Sequence, residues 1–270
     1  MSEWETIEAP AKLNLALVVG PTRTDGKHEV ATVLERVTLA DVVAVRLAPE
    51  TRVTGFADDT LVRSALDAME ARSGARFEAR IEKRIPVAAG LGGGSSDAAA
   101  ALRLANELLD RPLDAEALHR VAASLGADVP YFLAEDAQLA TDDGTTLVPV
   151  TLPRDYVVLL ALPDGIAKTS TRDVYEAFDA RRGDDGYPGR RAQLLGNIGE
   201  LRVPGDLARL PPNDLASSPL ADELRAAGAF RADVTGAGPV VYGLFAGEPA
   251  AAGAAAALKG RARTWVARPG

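Results

Sequence analysis

Hydrophobic and polar residues alternate in several stretches of the chain, and this period of two predicts β-strands. From Lys12 to Val19 the leucines lie on one face of the predicted strand, whereas Lys12 and Asn14 lie side by side on the other. The remaining strand predictions are two short strands within 31–47 that meet at Ala40-Asp41, single strands over 51–56, 76–85, 156–163 and 263–267, and a hairpin over 138–150 that turns at Asp142, Asp143 and Gly144.

Apolar residues recur at helical spacing elsewhere, so the pattern predicts a chain that mixes helices with strands. The predicted helices are 61–72, 97–109, 114–125 with Asp114 as its N-cap, 169–179 and 249–259. Residues 180–211 combine glycine, proline and charge without clear periodicity, so we expect irregular, mobile chain there, with Arg181-Arg182 and Arg190-Arg191 in a solvated loop.

The length of 270 residues favours a protein with two lobes over a single small domain. The buried strand that begins at Tyr156 is predicted to open the second lobe. We therefore predict an α+β protein with one domain over 1–152 and another over 153–270.

Composition and charge exclude several classes of function. The net charge is −8 with a pI near 5.0, which argues against a nucleic-acid partner. The chain contains no cysteine and only two histidines, so disulfides and cysteine- or multi-histidine metal centres are excluded. His119 has no acidic or histidine partner four residues before or after it on the predicted helix and is predicted to be structural. Because no apolar run reaches the roughly 18 residues that cross a bilayer and no signal-peptide core is visible, we expect a cytoplasmic protein without a membrane partner.

The stretch from Pro86 to Ala101, PVAAGLGGGSSDAAAA, is the hardest to explain as ordinary connecting sequence. A glycine-rich backbone before a helix can turn several N–H groups toward one anion, at the end where the helix dipole is positive. Ser95 and Ser96 stand at the predicted cap of that helix, where a hydroxyl group could cap it, contact a phosphate, or do both. The alternatives are therefore a phosphate-binding loop and a glycine-rich turn with a serine cap.

This stretch resembles the phosphate-binding motif of the GHMP kinases, whose pattern P-x-x-x-G-L-G-G-G-S-S-x-A-A it matches. It lacks the lysine of a Walker A loop and the acid of a dinucleotide fingerprint. The resemblance implies that ATP is bound with Mg²⁺, for which Ser95 or Ser96 are the best candidate ligands. The implied ATP-binding residues are Pro86, Val87, Ala88, Ala89, Gly90, Leu91, Gly92, Gly93, Gly94, Ser95 and Ser96.

Two further motifs are similar to those of the diphosphocytidyl-methylerythritol kinases, one family of GHMP enzymes. The fragment APAKLNL contains Lys12 and Asn14, although a lone strand lysine is usually a solvated edge residue. The fragment DGKHE resembles the family signature DGYHE, whose tyrosine and histidine contact the cytosine of the substrate. This chain keeps His28 but has Lys27 in place of the aromatic residue, which affects one wall of the implied cytidine pocket.

Other fragments of the same family occur in order along the chain. GADVPYF resembles the segment with the catalytic aspartate, here Asp128, which the resemblance places close in space to Lys12; taken alone, Asp128 would be a turn residue. The segment ST-x-x-x-Y makes Tyr175 a candidate substrate-side residue, and Asn213-Asp214-Leu215 resembles the start of a family helix. DVTGAGPVVYGLF resembles the third GHMP motif or a plain hairpin, and gives Thr235, Gly236 and Gly238 as candidate substrate contacts.

The resemblance covers nearly the whole chain and implies a fold and a reaction. The fold is the two-lobed GHMP kinase fold, with a ribosomal-S5-like N-terminal lobe, a ferredoxin-like C-terminal lobe and substrates between them. The reaction is transfer of the ATP γ-phosphoryl group to the 2-hydroxyl of 4-diphosphocytidyl-2-C-methyl-D-erythritol, with Lys12 and Asp128 as catalytic residues. A GHMP kinase for another alcohol, such as homoserine or mevalonate, and a non-catalytic relative are the alternatives. The implied state is a monomer or a homodimer.

Overall fold

Strands and helices are interspersed along the chain, as the α+β prediction expects. The computed structural model describes residues 3–56, 60–166 and 170–270. The strands are β1 (Glu5–Thr22), β2 (His28–Leu47), β3 (Arg52–Thr54), β4 (Phe77–Glu82), β5 (Gln138–Asp142), β6 (Thr146–Pro149), β7 (Val157–Pro163), β8 (Arg231–Val234), β9 (Val241–Phe245) and β10 (Ala262–Ala267). The helices are α1 (Thr60–Ser73), α2 (Gly93–Glu107), α3 (Ala115–Leu125), α4 (Thr171–Ala180), α5 (Tyr187–Ile198), α6 (Pro219–Ala226) and α7 (Glu248–Ala257), with 3-10 helices at Pro130–Leu133 and Pro204–Arg209. None of the helices in the described ranges is long and apolar enough for a membrane crossing.

Most of the predicted elements are present close to their predicted bounds. The Asp114 side chain accepts a hydrogen bond of 2.8 Å from the Ala117 N–H at the start of α3. The hairpin of β5 and β6 turns where predicted, with Gly144 N–H bonded to the Thr141 carbonyl. The predicted helix over 169–179 is α4, whose N-cap is Ser170; Thr169 lies outside the described residues.

The prediction of two short strands around Ala40-Asp41 is wrong, because β2 is one continuous strand. Asp41 looks like a turn residue in the sequence, yet it is fully buried. Its carboxylate accepts hydrogen bonds from the backbone N–H groups of Arg84 (2.5 Å) and Ile85 (2.8 Å) and from the Lys83 ammonium (2.5 Å). A satisfied carboxylate can stay inside a strand, so the chain does not turn there.

The segment 180–211 also differs from its prediction, since it contains α5 and a 3-10 helix. Two glycines and a proline make the sequence of α5 look unlike a helix. Pro188, however, stands in the first turn, where a backbone N–H has no partner within the helix and its absence breaks no hydrogen bond. Arg190 is not solvated loop either. Its guanidinium donates to Asp214 Oδ2 at 3.0 Å and to the Gly183 carbonyl at 2.8 Å, and it is partly buried.

The chain divides into two compact units. The first unit is Met1–Ala11, Leu39–Val87 and Gly92–Glu135, and the second is Lys12–Thr38, Ala88–Leu91 and Asp136–Gly270. The predicted division at residue 152 stays a prediction.

In the first unit, a small sheet supports a layer of helices. β4 pairs antiparallel with residues 42–47 of β2 and parallel with β3. Helix α1 packs on α2, and the alanines at 98–101 of α2 are buried, which allows the two helices to approach closely. Helix α2 is thereby anchored along its length.

In the second unit, residues 30–34 of β2 pair with β5, which pairs with β6. A separate antiparallel sheet has the strand order β10-β7-β9-β8. Helices α6 and α7 pack on this sheet, and their shared core includes Leu159, Leu224, Val241, Phe245 and Ala251. The loop between β8 and β9, which contains the third motif, is fixed at both ends by this core.

Glu35 is a fully buried carboxyl group within β2 of the second unit. Burial raises its pKa to about 7, and the Arg154 guanidinium, 3.3 Å away, only partly opposes that shift. Between about pH 4.5 and 7 the folded protein keeps a proton that the unfolded chain releases. The free energy of unfolding therefore falls as the pH rises through this window.

We expect Glu35→Gln to remove this pH dependence. At pH 8 the variant should be more stable than the wild type by roughly 2 kcal/mol, because the wild type then holds a buried charge. Near pH 4.5 the two should agree within about 1 kcal/mol. Urea unfolding at both pH values measures the difference; a wild type that is the more stable protein at pH 8 would contradict the assignment.

Candidate active site

Lys12 and Asn14 lie side by side in β1, as the alternation predicts, but their face is buried and not solvated. Lys12 is 4% exposed and Asn14 is 5% exposed. The Lys12 ammonium donates to Asn14 Oδ1 at 2.7 Å, and Asn14 Nδ2 donates to the Thr32 hydroxyl at 2.8 Å. A buried lysine needs such partners, so the interpretation of Lys12 as a solvated edge residue is wrong.

The third motif and the first half of the glycine-rich loop meet within the second unit. The Asn14 N–H donates to the Thr235 hydroxyl at 3.1 Å, and that hydroxyl has two acceptors within reach, the Gly90 carbonyl at 3.3 Å and Asn14 Oδ1 at 3.4 Å. The Val240 N–H donates to the Ala89 carbonyl at 3.3 Å. A side chain at Gly90 would lie 2.2 Å from the Thr235 carbonyl oxygen. The structure thus brings together three motifs that are distant in sequence.

The second half of the loop forms the start of α2, four residues earlier than predicted. Gly92 is the N-cap with φ +71°, and no side chain caps this helix. Ser95 and Ser96 lie in the first turn, so their predicted capping role is wrong. Ser95 is partly exposed, whereas Ser96 is 1% exposed. Because a helix start leaves backbone N–H groups without internal partners, an uncapped one offers donors to an anion.

Lys83 and two aspartates hold the base of α2 within the first unit. The Lys83 ammonium lies 2.5 Å from Asp41 and 2.7 Å from Asp97, and both carboxylates are fully buried. Burial lowers the pKa of Lys83, but the hydrogen bonds to Asp41 and Asp97 outweigh it and raise the pKa overall. The cluster thus connects β2, the segment that follows β4, and α2.

We expect Lys83→Met to lower the free energy of unfolding by about 3 kcal/mol, because it leaves two buried carboxylates without their cation. Lys259→Met, at an exposed lysine, is the matched control and should change stability by less than about 0.5 kcal/mol. Chemical denaturation of both variants measures the difference. Equal stabilities would mean that the cluster does not hold the helix.

The candidate substrate residues His28 and Tyr175 are also brought together. Their ring centroids lie 4.8 Å apart, and Phe178 lies edge-on to His28 at 5.9 Å. His28 Nε2 lies 2.8 Å from an Asp179 carboxylate oxygen. His28 is therefore one member of a cluster of polar and aromatic side chains, not an isolated surface residue.

Lys27 is fixed by Asp143, at the turn between β5 and β6. Its ammonium lies 2.6 Å from Asp143 Oδ2, and this hydrogen bond, with a second from Thr145, lowers the pKa of Asp143 to about 2. Asp143 thus stays ionised at any ordinary pH. Lys27, at the sequence position where the family signature has an aromatic residue, therefore carries its charge in an ion pair with Asp143.

Asn213 does not start a helix, contrary to the resemblance; the next helix, α6, starts at Pro219 with Ser218 as its N-cap. The Asn213 side chain instead donates to the carbonyls of Val234 (3.0 Å) and Gly236 (2.7 Å), which hold the turn of the third motif. These bonds hold Asn213 beside the third motif, and the chain bends at residues 214–215, where the Leu215 N–H donates to Asn213 Oδ1 at 2.8 Å. Gly236 and Gly238 both have positive φ values there.

Asp128 lies in the first unit, in the turn between α3 and the 3-10 helix Pro130–Leu133. It is partly exposed, while Val129 and Pro130 after it are buried, and the Val129 N–H is bonded to the Gly126 carbonyl. His119 is exposed on α3.

Thr32, Asp41, Lys83 and Asn213 contribute to these clusters in ways that the sequence did not indicate. The only signal was a polar residue within an apolar strand, which Thr32 and Asp41 both provide. Among the described residues, no group of three or more His, Asp or Glu side chains could hold a metal ion.

Family models and curated relatives that match this chain all belong to the GHMP kinases. Residues 60–135 match the GHMP kinases N terminal domain, and residues 181–263 match the GHMP kinases C terminal domain. A 4-diphosphocytidyl-2-C-methyl-D-erythritol kinase of Anaeromyxobacter dehalogenans (strain 2CP-1 / ATCC BAA-258) is 40% identical over 94% of this chain and 85% of its own. The enzyme of the same name from Geobacter sulfurreducens is 34% identical over 97% and 96%.

A solved structure agrees with these relatives. The crystal structure of a 4-(cytidine 5'-diphospho)-2C-methyl-D-erythritol kinase superposes with a TM-score of 0.79 at 28% identity, over 98% of this chain and 99% of that one.

Proposed function

The chain belongs to the 4-diphosphocytidyl-2-C-methyl-D-erythritol kinase family of the GHMP kinases, and on that premise we propose that it phosphorylates the 2-hydroxyl of this substrate with ATP in the methylerythritol phosphate route to isoprenoids. The observation that supports this most strongly is similarity to such kinases over nearly the full length of both chains. The predicted GHMP kinase fold is confirmed.

Lys12 and Asp128 are the proposed catalytic residues. Asp128 accepts or orients the proton of the substrate hydroxyl, and the Lys12 ammonium stabilises negative charge that develops on the reacting oxygens. Because the transition state of phosphoryl transfer is loose, positioning and electrostatics supply most of the acceleration. The burial of Lys12 supports this role, since a desolvated ammonium interacts more strongly with an anion than one in water.

The proposed ATP site is the loop Pro86–Ser96 with the uncapped start of α2. Backbone N–H groups and the positive end of the helix dipole bind the phosphates, and glycine at 92–94 allows close approach. Mg²⁺ would be held mainly by oxygens of the ATP phosphates and by water. The Ser95 hydroxyl, which is partly exposed, is the accessible protein ligand. When bound, Mg²⁺ neutralises charge on the transferring phosphoryl group.

The proposed substrate residues form two groups in the second unit. His28, Lys27 and Tyr175 bind the cytidine end, where Lys27, fixed by Asp143, provides a cation in place of the aromatic wall. The others lie near Lys12 and the third motif: Asn14, Thr235, Gly236 and Gly238. A monomeric or homodimeric state and a cytoplasmic location stay predictions.

The test is ADP release by the purified protein with a panel of acceptor alcohols. We expect turnover with 4-diphosphocytidyl-2-C-methyl-D-erythritol and, at matched concentrations, at least 100-fold lower kcat/KM with homoserine, mevalonate and the uridine analogue of the substrate. Preference for homoserine or mevalonate would assign the chain to another GHMP activity. Cytidine binding without ADP release would identify a non-catalytic relative.

A further inference from the structure

Three polar side chains form a buried line between strands β1 and β2. Lys12, Asn14 and Thr32 are 4%, 5% and 5% exposed. All three belong to the second unit. In this setting each hydrogen bond must have the correct donor and acceptor, because water cannot replace a missing partner.

The Thr32 hydroxyl determines the direction of the hydrogen bonds along this line. Thr32 Oγ1 lies 2.6 Å from the backbone carbonyl oxygen of Ala16. A carbonyl oxygen only accepts, so the single hydroxyl proton of Thr32 is donated to Ala16. Toward Asn14, the hydroxyl can then present only a lone pair.

This polarity fixes the orientation of the Asn14 side-chain amide. Its Nδ2 must face Thr32, at 2.8 Å, because the hydroxyl accepts there. Its Oδ1 therefore faces the Lys12 ammonium at 2.7 Å and the Thr235 hydroxyl at 3.4 Å. The flipped amide would place an NH₂ group against the ammonium and an oxygen against a lone pair, so both contacts would be repulsive.

We propose that Thr32 is a positioning residue of the kinase reaction: by orienting the Asn14 amide, it fixes where the Lys12 ammonium points. This inference rests on the proposed catalytic role of Lys12. Thr32 itself contacts no reacting atom and acts only through Asn14. Threonine suits the position because it combines a hydroxyl group with the branched shape that strands favour.

The variants Thr32→Val and Thr32→Ser separate the hydroxyl from the shape. Valine keeps the shape and removes the acceptor of Asn14 Nδ2, so we expect kcat to fall about 10-fold while KM for ATP stays within about twofold. Serine keeps the hydroxyl and should restore kcat to within about threefold of the wild type. In an Asn14→Ala background, Thr32→Val should have no further effect on kcat, because the residue through which it acts is gone.

A second readout does not depend on turnover. In protein with ¹⁵N-labelled lysine, the Nζ signal of Lys12, assigned by its loss in Lys12→Met, should shift in Thr32→Val and not in Thr32→Ser. Thermal unfolding of each variant shows that it is folded.

The outcomes distinguish this inference from the proposed function. An unshifted Lys12 signal in Thr32→Val, or a Thr32→Val effect that persists undiminished in the Asn14→Ala background, overturns the inference. A shifted signal with wild-type kcat overturns the positioning role together with the assignment of Lys12 to catalysis. If the wild type phosphorylates none of the alcohols but the signal shifts as expected, the proposed function has failed and the orientation of Asn14 by Thr32 has not.

Discussion

Asp128→Asn should reduce kcat for phosphoryl transfer by about 10³-fold and leave ATP binding unchanged. The amide has nearly the shape of the carboxylate but can neither take the hydroxyl proton nor hold it in the transition state. The surrounding backbone should not change, because the turn is fixed by the buried residues Val129 and Pro130 and by the hydrogen bond from Val129 to Gly126.

Steady-state ADP release gives kcat, and calorimetric titration of each protein with ATP gives the dissociation constant. Asp110→Asn, at an exposed aspartate of the same unit, is the matched control and should keep wild-type turnover. Near-normal kcat in Asp128→Asn would mean that another group accepts the proton.

Gly90→Ala should disrupt the contact between the glycine-rich loop and the third motif. The new Cβ would lie 2.2 Å from the Thr235 carbonyl oxygen and 3.2 Å from the backbone of Gly238, so the turn must move. Gly90 also has φ +82°, which disfavours any side chain. We expect the free energy of unfolding to fall by roughly 3–5 kcal/mol and kcat/KM for ATP by at least 100-fold.

Gly260→Ala is the matched control, because Gly260 has a similar φ of +75° but a Cβ at this position would meet no other atom within 4 Å. It should cost only the strain of the backbone, about 1 kcal/mol, with activity retained. Urea unfolding and steady-state kinetics of the two variants, side by side, isolate the effect of the contact. Similar losses in both variants would show that strain alone is responsible.

The sequence predicted those parts of the structure that depend on local pattern. Alternation placed Lys12 next to Asn14, and Asp114 marked the start of α3 correctly. Prediction from the sequence failed where a tertiary contact determines the local conformation. Asp41 resembles a turn residue in the sequence because the three donors that satisfy its carboxylate within the strand lie 42 or more residues away. Asn213 does not start a helix because its side chain bonds to the third motif.

Glycine caused the other two differences. Gly93 and Gly94 disfavour helix on propensity, yet α2 begins there. Glycine suits position 93 because a Cβ there would lie only 3.1 Å from the Ile85 side chain. Helix α5 contains Gly189 and Gly196 and buries only Leu194, so its apolar periodicity is too weak to recognise. The candidate site was found by resemblance, whereas the residues that support it, such as Thr32 and Lys83, needed the structure.

The central claim is that this chain transfers the γ-phosphoryl group of ATP to one particular hydroxyl. Phosphorus NMR of the product formed from 4-diphosphocytidyl-2-C-methyl-D-erythritol tests it most directly. We predict one new phosphomonoester signal, coupled to no proton because the 2-hydroxyl is on a tertiary carbon, with the cytidine diphosphate signals unchanged. A phosphomonoester coupled to protons, or ADP formed without any new ester, would contradict the claim.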